Sequence, residues 1–133
     1  MGDSPISGLP VATTPLVGTE PLALVQASTT KQASVASVRA LPVRTVSSGT
    51  TADAETDYLI RGDAASGPFT VTLPAAASSA GFALTVKKID SSGNAVTIDA
   101  SGAETIDGAT TVSITTQWAA VTVLCNAIGW DII

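Results

Sequence analysis

The feature of the sequence that most constrains the fold is a two-residue alternation between apolar residues and serine or threonine in the C-terminal part of the chain. Successive side chains of a β-strand point to opposite faces, so such a segment has one apolar face and one hydroxyl-bearing face. The segments recur at roughly ten-residue spacing and are separated by turn-forming residues, which is typical of all-β domains. The alternating segments are residues 69–73, 82–87, 96–99, 112–115 and 121–125.

We therefore predict an all-β chain in which residues 51–133 form an antiparallel β-sandwich of jelly-roll-like type. No segment has a convincing helical period, and Gly, Asn and Asp between the segments fit hairpin turns. The strands are predicted at residues 58–61, 69–73, 82–88, 95–99, 104–106, 111–115, 120–125 and 130–133.

Residues 1–50 are predicted to form an N-terminal arm. Pro5, Pro10, Pro15 and Pro21 remove backbone donors and favour extended geometry. The apolar residues that could dock this arm on a partner are Ile6, Leu9, Val11, Leu16, Val17, Leu22 and Leu24.

The second half of the arm is predicted to contain short local structure. Strands at residues 22–26 and 30–33 form a hairpin, and residues 34–41 form a helical turn that Pro42 ends. A short β-like run follows at residues 43–46, and residues 47–51 have the composition of a linker.

The charge pattern bears on the choice of partners. Charged residues make up 13% of the chain, the net charge is −5, and residues 51–133 carry nine acids against three bases. This balance disfavours nucleic acid and anionic lipid. The sequence has no apolar stretch of about 18 residues and no signal peptide, so we expect synthesis in the cytoplasm and no membrane insertion. A lightly charged surface favours self-association.

The residues available for chemistry predict that the chain is not an enzyme and has no cofactor or metal. Histidine is absent, which excludes the Ser-His-Asp arrangement and the common zinc sites. Cys125, the only cysteine, is interpreted as a packed thiol. Four acids near turns are interpreted as solvated, with a glycoside-hydrolysing pair or a calcium site as the alternatives. These acids are Asp90, Asp99, Glu104 and Asp107.

Three further features have both a structural and a functional interpretation. The tripeptide from Arg61 to Asp63 matches a motif read by some adhesion receptors, but a turn is the favoured interpretation. Trp130 is predicted to lie in the core, since Ile128 and Ile132 flank it at two-residue spacing and share its face. Trp118 is predicted to be a glycan-stacking or subunit contact residue.

Several segments resemble known phage proteins. Residues 69–77 (FTVTLPAAA), 84–98 (LTVKKIDSSGNAVTI), 102–108 (GAETIDG) and 129–133 (GWDII) resemble, in this order, a module of tailed-bacteriophage head fibres, tail fibres and related virion appendages. The arm is similar to N-terminal attachment segments of phage structural proteins in residues 6–10, 12–20 and 24–26.

The resemblance implies a virion protein whose N-terminal segment docks on the particle and whose β-module projects outward as a homotrimer. It carries over no catalytic residue. The short connection between the two parts favours a capsid decoration protein, of cement or head-fibre type, on a major capsid protein or another virion protein. The alternatives are a tail-fibre or tail-associated role, a host glycan-binding module and, as the weakest, a polysaccharide-degrading enzyme that uses Glu104.

Overall fold

The computed structural model describes residues 21–26, 29–34 and 41–133. In the N-terminal part, β1 (Pro21–Gln26) and β2 (Thr29–Ser34) form an antiparallel hairpin, in which Pro21 is opposite Ser34 and Gln26 is opposite Thr29. This confirms the predicted hairpin. Leu22 and Leu24 lie on β1, whereas the docking residues between 6 and 17 and most of the predicted helical turn lie outside the described residues.

The rest of the chain, from Leu41 to Ile133, is one compact unit built from two β-sheets. The larger sheet has five strands in the order β11-β10-β7-β5-β3. Its strands are β3 (Val43–Val46), β5 (Leu59–Gly62), β7 (Ala83–Lys88), β10 (Ala120–Cys125) and β11 (Trp130–Ile132).

The smaller sheet has four strands in the order β4-β6-β8-β9. Within residues 41–133, one 3-10 turn (Ala76–Ser78) precedes β7, and the described residues contain no α-helix. The strands are β4 (Thr50–Thr51), β6 (Phe69–Thr72), β8 (Val96–Asp99) and β9 (Thr111–Ile114).

Both sheets are mixed, which corrects the prediction of a purely antiparallel arrangement. From β3 to β8 the chain alternates between the sheets, so it returns to each sheet running in the same direction. The pairs β3–β5, β5–β7, β4–β6 and β6–β8 are consequently parallel. Only the last strands pair in antiparallel fashion, at β8–β9, β7–β10 and β10–β11. The alternation of residues along a strand is the same in either case, so the sequence pattern could not distinguish them.

The buried side chains of both sheets form one hydrophobic core. Within β7, for example, positions 84, 86 and 88 are buried and positions 83, 85 and 87 are partly exposed, as the alternation predicts. Fully burying an aliphatic side chain contributes about 1.5–3 kcal/mol, so this set dominates the stability of the unit. Its largest aliphatic members are Ile60, Leu73, Leu84, Ile98 and Ile106.

Trp130 lies in this core, which confirms its predicted position. Its ring contacts Phe82 edge to face, with 6.0 Å between the ring centroids. Its indole Nε1 is buried and has no hydrogen-bond partner among the described residues. Ile128 and Ile132, which the same alternation would place inside, are instead 87% and 42% exposed.

Two predicted features differ at their boundaries. Residues 104–106 do not form a strand, because only Ile106 makes isolated bridges, to Ala109 and Trp130. Thr50 and Thr51, predicted to belong to a linker, form β4. The predicted β-domain begins at residue 51, whereas the structure includes residues 41–50 in the same compact unit.

Candidate functional site

Asp90 is not the solvated turn acid that the sequence predicted. Its side chain is 8% exposed, and Lys88, which is fully buried, donates to both carboxylate oxygens at 2.6 Å. Asp90 also accepts the backbone N–H of Ala64 at 2.7 Å and a hydrogen bond from the Ser92 hydroxyl. Burial opposes ionisation, but the hydrogen bonds from Lys88 and Ser92 outweigh it, so the pKa of Asp90 lies far below its usual value.

The Lys88–Asp90 pair joins two loops of the unit. Ala64 belongs to the loop after β5, and Asp90 and Ser92 belong to the loop after β7. The carbonyl of Ala64 accepts further hydrogen bonds from the Ser92 hydroxyl and the Asn94 amide. Because the Asp90 carboxylate accepts hydrogen bonds from Lys88, Ala64 and Ser92, it stays ionised and has a structural role.

Glu104 has a structural role as well. Its two carboxylate oxygens accept the backbone N–H of Ala76 at 2.9 and 3.1 Å, at the start of the 3-10 turn. Asp107 is exposed at a turn and accepts the N–H of Ile132 at 3.3 Å, and Asp99 lies on β8. Within the described residues, no three His, Cys, Asp or Glu side chains lie close enough together to hold a metal ion.

The remaining sequence motifs occupy packed positions. Gly62 is buried within β5, next to the side chains of Val96 and Phe69, so the tripeptide from Arg61 to Asp63 ends a strand and does not project as a loop. Cys125 is buried, and its thiol donates to the carbonyl of Ala76 at 3.4 Å. The interpretation of Cys125 as a packed thiol is confirmed.

Trp118 is exposed and held in an unusual backbone conformation. Its side chain is 57% exposed, and its φ of 67° lies in the left-handed region that a bulky residue rarely adopts. Its N–H donates to the carbonyl of Lys88 at 2.9 Å, and the next N–H, of Ala119, donates to Thr116 at 3.1 Å. The Gln117 amide donates to the carbonyl of Ile89 at 3.1 Å. The turn therefore presents the indole ring from a well-bonded backbone.

Exposed apolar side chains lie at both edges of the five-stranded sheet. At one edge, Val43 on β3 is 56% exposed, and at the other, Ile133 after β11 is 69% exposed. Edge strands can pair with another chain, and apolar side chains on them favour such contacts. The other large exposed apolar residues near these edges are Leu41, Tyr58, Ile128 and Ile132.

The outer face of the five-stranded sheet has a mixed character. Residues that alternate with the buried ones share this face, and strand register places Val43, Leu59 and Thr85 in one row across it. The next row contains Arg61 and Lys87 as direct neighbours. The residues of this face are Val43, Thr45, Leu59, Arg61, Ala83, Thr85, Lys87, Ala120, Thr122, Leu124, Asp131 and Ile133.

The outer face of the four-stranded sheet carries mainly hydroxyl groups. The register places Thr70, Thr97 and Ser113 side by side, and the last two hydroxyls are 3.3 Å apart. Thr72 and Asp99 form a second row. This face has no apolar patch among the described residues, so it offers less to a hydrophobic partner than the opposite side of the unit.

A second ion pair, in which only the carboxylate is fully buried, holds the edge strand β3. The Arg44 guanidinium donates to both oxygens of Asp57, at 2.6 and 2.9 Å, and also to Thr50 and to the carbonyl of Thr51 on β4. The hydrogen bond that Arg44 donates to Asp57 raises the pKa of Arg44. Burial opposes ionisation of Asp57, but the hydrogen bonds from Arg44 and the Asp53 amide outweigh it and lower the pKa of that carboxyl.

Sequence reasoning missed both ion pairs, although one had a visible signal. Lys88 follows Leu84 and Val86 at the same two-residue spacing, so the alternation assigns it to the buried face. A buried lysine requires a carboxylate partner, and Asp90 is the nearest one along the chain. Arg44 and Asp57 are 13 residues apart, and nothing in their local sequence indicates the contact.

Comparison with known proteins does not assign this chain to a family. The sequence matches neither a protein-family model nor a curated protein. Among the described residues, no helix has the length and apolar character needed to cross a membrane.

Proposed function

We propose that this chain is a non-enzymatic structural protein of a tailed-bacteriophage virion, namely a capsid decoration protein of the cement or head-fibre type. Residues 1–40, which precede the compact β-unit, would attach it to the major capsid protein or another virion protein after synthesis in the host cytoplasm. The β-domain, a two-sheet sandwich, would project from the particle as a homotrimer.

The observation that carries this proposal is the pair of exposed apolar edges on the five-stranded sheet. Val43 at one edge and Ile133 at the other lie on a unit whose surface is otherwise rich in small hydroxyl residues. Association of copies at these edges and over the sheet face between them would remove apolar surface from water and cover unpaired strand edges. Three copies would also present three arms to the particle, which raises avidity without a strong single contact.

The positions of the acids support a role without catalysis. Asp90 is engaged by Lys88, and Glu104 holds the N-terminal amide of the 3-10 turn. Asp90 is not poised as a general acid, since the hydrogen bonds that it accepts favour its ionised form. The enzyme alternative predicts hydrolysis of a host envelope polymer that disappears on Glu104→Gln.

Particle binding tests the proposal. The full chain should co-sediment with phage particles that lack it, with a copy number comparable with that of the capsid subunits, whereas a tail protein would be present in a few copies. A chain without residues 1–21 should stay folded and trimeric but fail to bind. A full-length variant with Ile6→Asp and Leu9→Asp should show the same loss. Undiminished binding of both variants would refute attachment by the arm.

A second candidate function is host glycan binding, as in tail-fibre adhesion modules, and the exposed Trp118 favours it. Exposed aromatic rings provide stacking surfaces for sugars. The full chain should then bind specific glycans on an array, and Trp118→Ala should abolish the signal. If Trp118→Ala instead weakens trimer formation, the residue is a subunit contact.

A further inference from the structure

We infer that the outer face of the five-stranded sheet is the subunit interface, and that its Arg61–Lys87 pair docks on Asp131 of a second copy. This inference rests on the proposed self-association and specifies the face and the charges involved.

The first observation is the placement of the two cations. Arg61 and Lys87 are direct partners on the neighbouring parallel strands β5 and β7, and both point to the outer face. The other two bases of the 41–133 unit, Arg44 and Lys88, are in ion pairs, whereas Arg61 and Lys87 have no ion-pair partner among the described residues. Like charges at paired positions destabilise a sheet, so an external carboxylate would relieve this repulsion.

The second observation is that the same face carries a carboxylate far from the cations. Asp131 is opposite Leu124 on β10, which is in turn opposite Ala83 on β7, so all three residues share the outer face. Asp131 is two strands across and four residues along from Lys87, which corresponds to roughly 16 Å. The Asn126 amide donates to both oxygens of Asp131, at 3.0 and 3.1 Å, and fixes the direction of the carboxylate. The cations and the acid of one copy are therefore too far apart to meet each other.

The third observation is the uncharged area between the two charged ends. A row across the sheet contains Val43, Leu59, Thr85, Thr122 and Ile133. The two threonine hydroxyls are 2.9 Å apart and form one hydrogen bond with each other, so only one of their two O–H groups still needs an acceptor. Burying this row removes apolar surface from water at little polar cost.

Together these observations favour a second copy as the occupant of the face. An identical chain presents the complementary charge at a matching distance. In a closed ring, the two cations of each copy meet Asp131 of the next. Two copies related by a two-fold axis would satisfy both charged ends of the face at once, and a closed ring would satisfy them between successive neighbours.

Charge reversal in the full chain tests the inference. The variants are Arg61→Glu with Lys87→Glu, Asp131→Lys, and all three changes together, and the mass of each is measured by sedimentation over a concentration series. Each reversal by itself should weaken association by at least about tenfold, and the triple variant should recover most of the loss. Association of the unmodified chain should also weaken between about 0.05 and about 0.5 M NaCl. Asp99→Lys, on the outer face of the other sheet, is the matched control and should not change association.

The outcomes separate this inference from the proposed function. If the unmodified chain is trimeric and the reversals leave it so, this interface is wrong, although particle binding can still hold. If the unmodified chain is a monomer at all concentrations, both this interface and the proposed trimer are wrong. If a reversal variant does not fold, as judged by circular dichroism, the double variant Arg61→Gln with Lys87→Gln replaces it. Association of this variant should depend less on salt than association of the unmodified chain. Unchanged salt dependence in that variant would overturn the inference.

Discussion

The ion pair between Arg44 and Asp57 should be a major contributor to the stability of the β-unit. The side chain of Asp57 is only 2% exposed, so replacing Arg44 by methionine leaves a buried carboxylate with the Asp53 amide as its main remaining donor. Removing one partner of a fully buried pair typically costs 3–5 kcal/mol. Arg44 is itself 36% exposed, and water can enter its place, so we expect a smaller loss of about 2 kcal/mol.

This loss has a characteristic pH dependence. The folded-state pKa of Asp57 lies below its unfolded value of about 3.9, so the carboxylate stabilises the fold above that pH. The contribution disappears as the pH falls through the folded-state pKa. In the Arg44→Met variant, protonation of Asp57 also removes the cost of the uncompensated charge. The difference in unfolding free energy between the two proteins should therefore shrink from pH 7 towards pH 3.

Urea unfolding measures this difference directly. Fluorescence of the buried Trp130 reports unfolding, and the protein concentration is kept constant because association adds to apparent stability. In a separate thermal unfolding experiment at pH 7, the midpoint temperature of Arg44→Met should be about 8–16 °C lower than that of the unmodified protein, as expected for a domain of this size. Arg44→Met combined with Asp57→Asn should be less destabilised than the sum of the two single changes. Glu55→Gln, an exposed acid nearby, is the control.

The reasoning would be refuted by a difference below about 0.5 kcal/mol at pH 7, which is the range of ordinary surface substitutions. A large difference that does not change between pH 7 and pH 3 would also refute it. In that case the loss would come from packing of the arginine side chain and not from the charge of Asp57.

Three further predictions concern packing and capping. Gly62→Ala should destabilise the fold by about 1–3 kcal/mol, because the added Cβ would lie 2.9 Å from a methyl group of Val96. Gly93→Ala is the control, because its added methyl group lies in open space. An equal loss of stability to urea in both variants would contradict the close packing of Gly62 against Val96. The buried thiol of Cys125 should react with a disulfide reagent only as the protein unfolds, and rapid reaction of the folded protein would contradict its burial. Glu104→Ala should lower the free energy of unfolding in urea by about 1 kcal/mol. Glu104→Gln should lower it less, because the glutamine amide keeps one oxygen that can accept the Ala76 N–H. Equal losses in the two variants would argue against a capping role.

The alternation of apolar and hydroxyl residues determined a large part of this structure by itself. It predicts the strands β7 and β10 to within a residue, and it assigns Leu84, Val86 and Val123 to the core. Each of these predictions depends only on the direction of a side chain relative to its own strand, which local backbone geometry fixes. The hairpin of β1 and β2 was predictable for the same reason, since its contacts are between near neighbours in the chain.

Contacts between distant residues were decided only by the tertiary structure. The parallel pairing follows from a chain that alternates between two sheets, and the same strand sequences would fit an antiparallel sandwich equally well. Arg44 meets Asp57, and Arg61 lies beside Lys87, because of strand order and register, which no local pattern encodes. Local sequence thus fixes which way each side chain points, whereas the identity of its neighbours depends on how the whole chain minimises its exposed apolar surface.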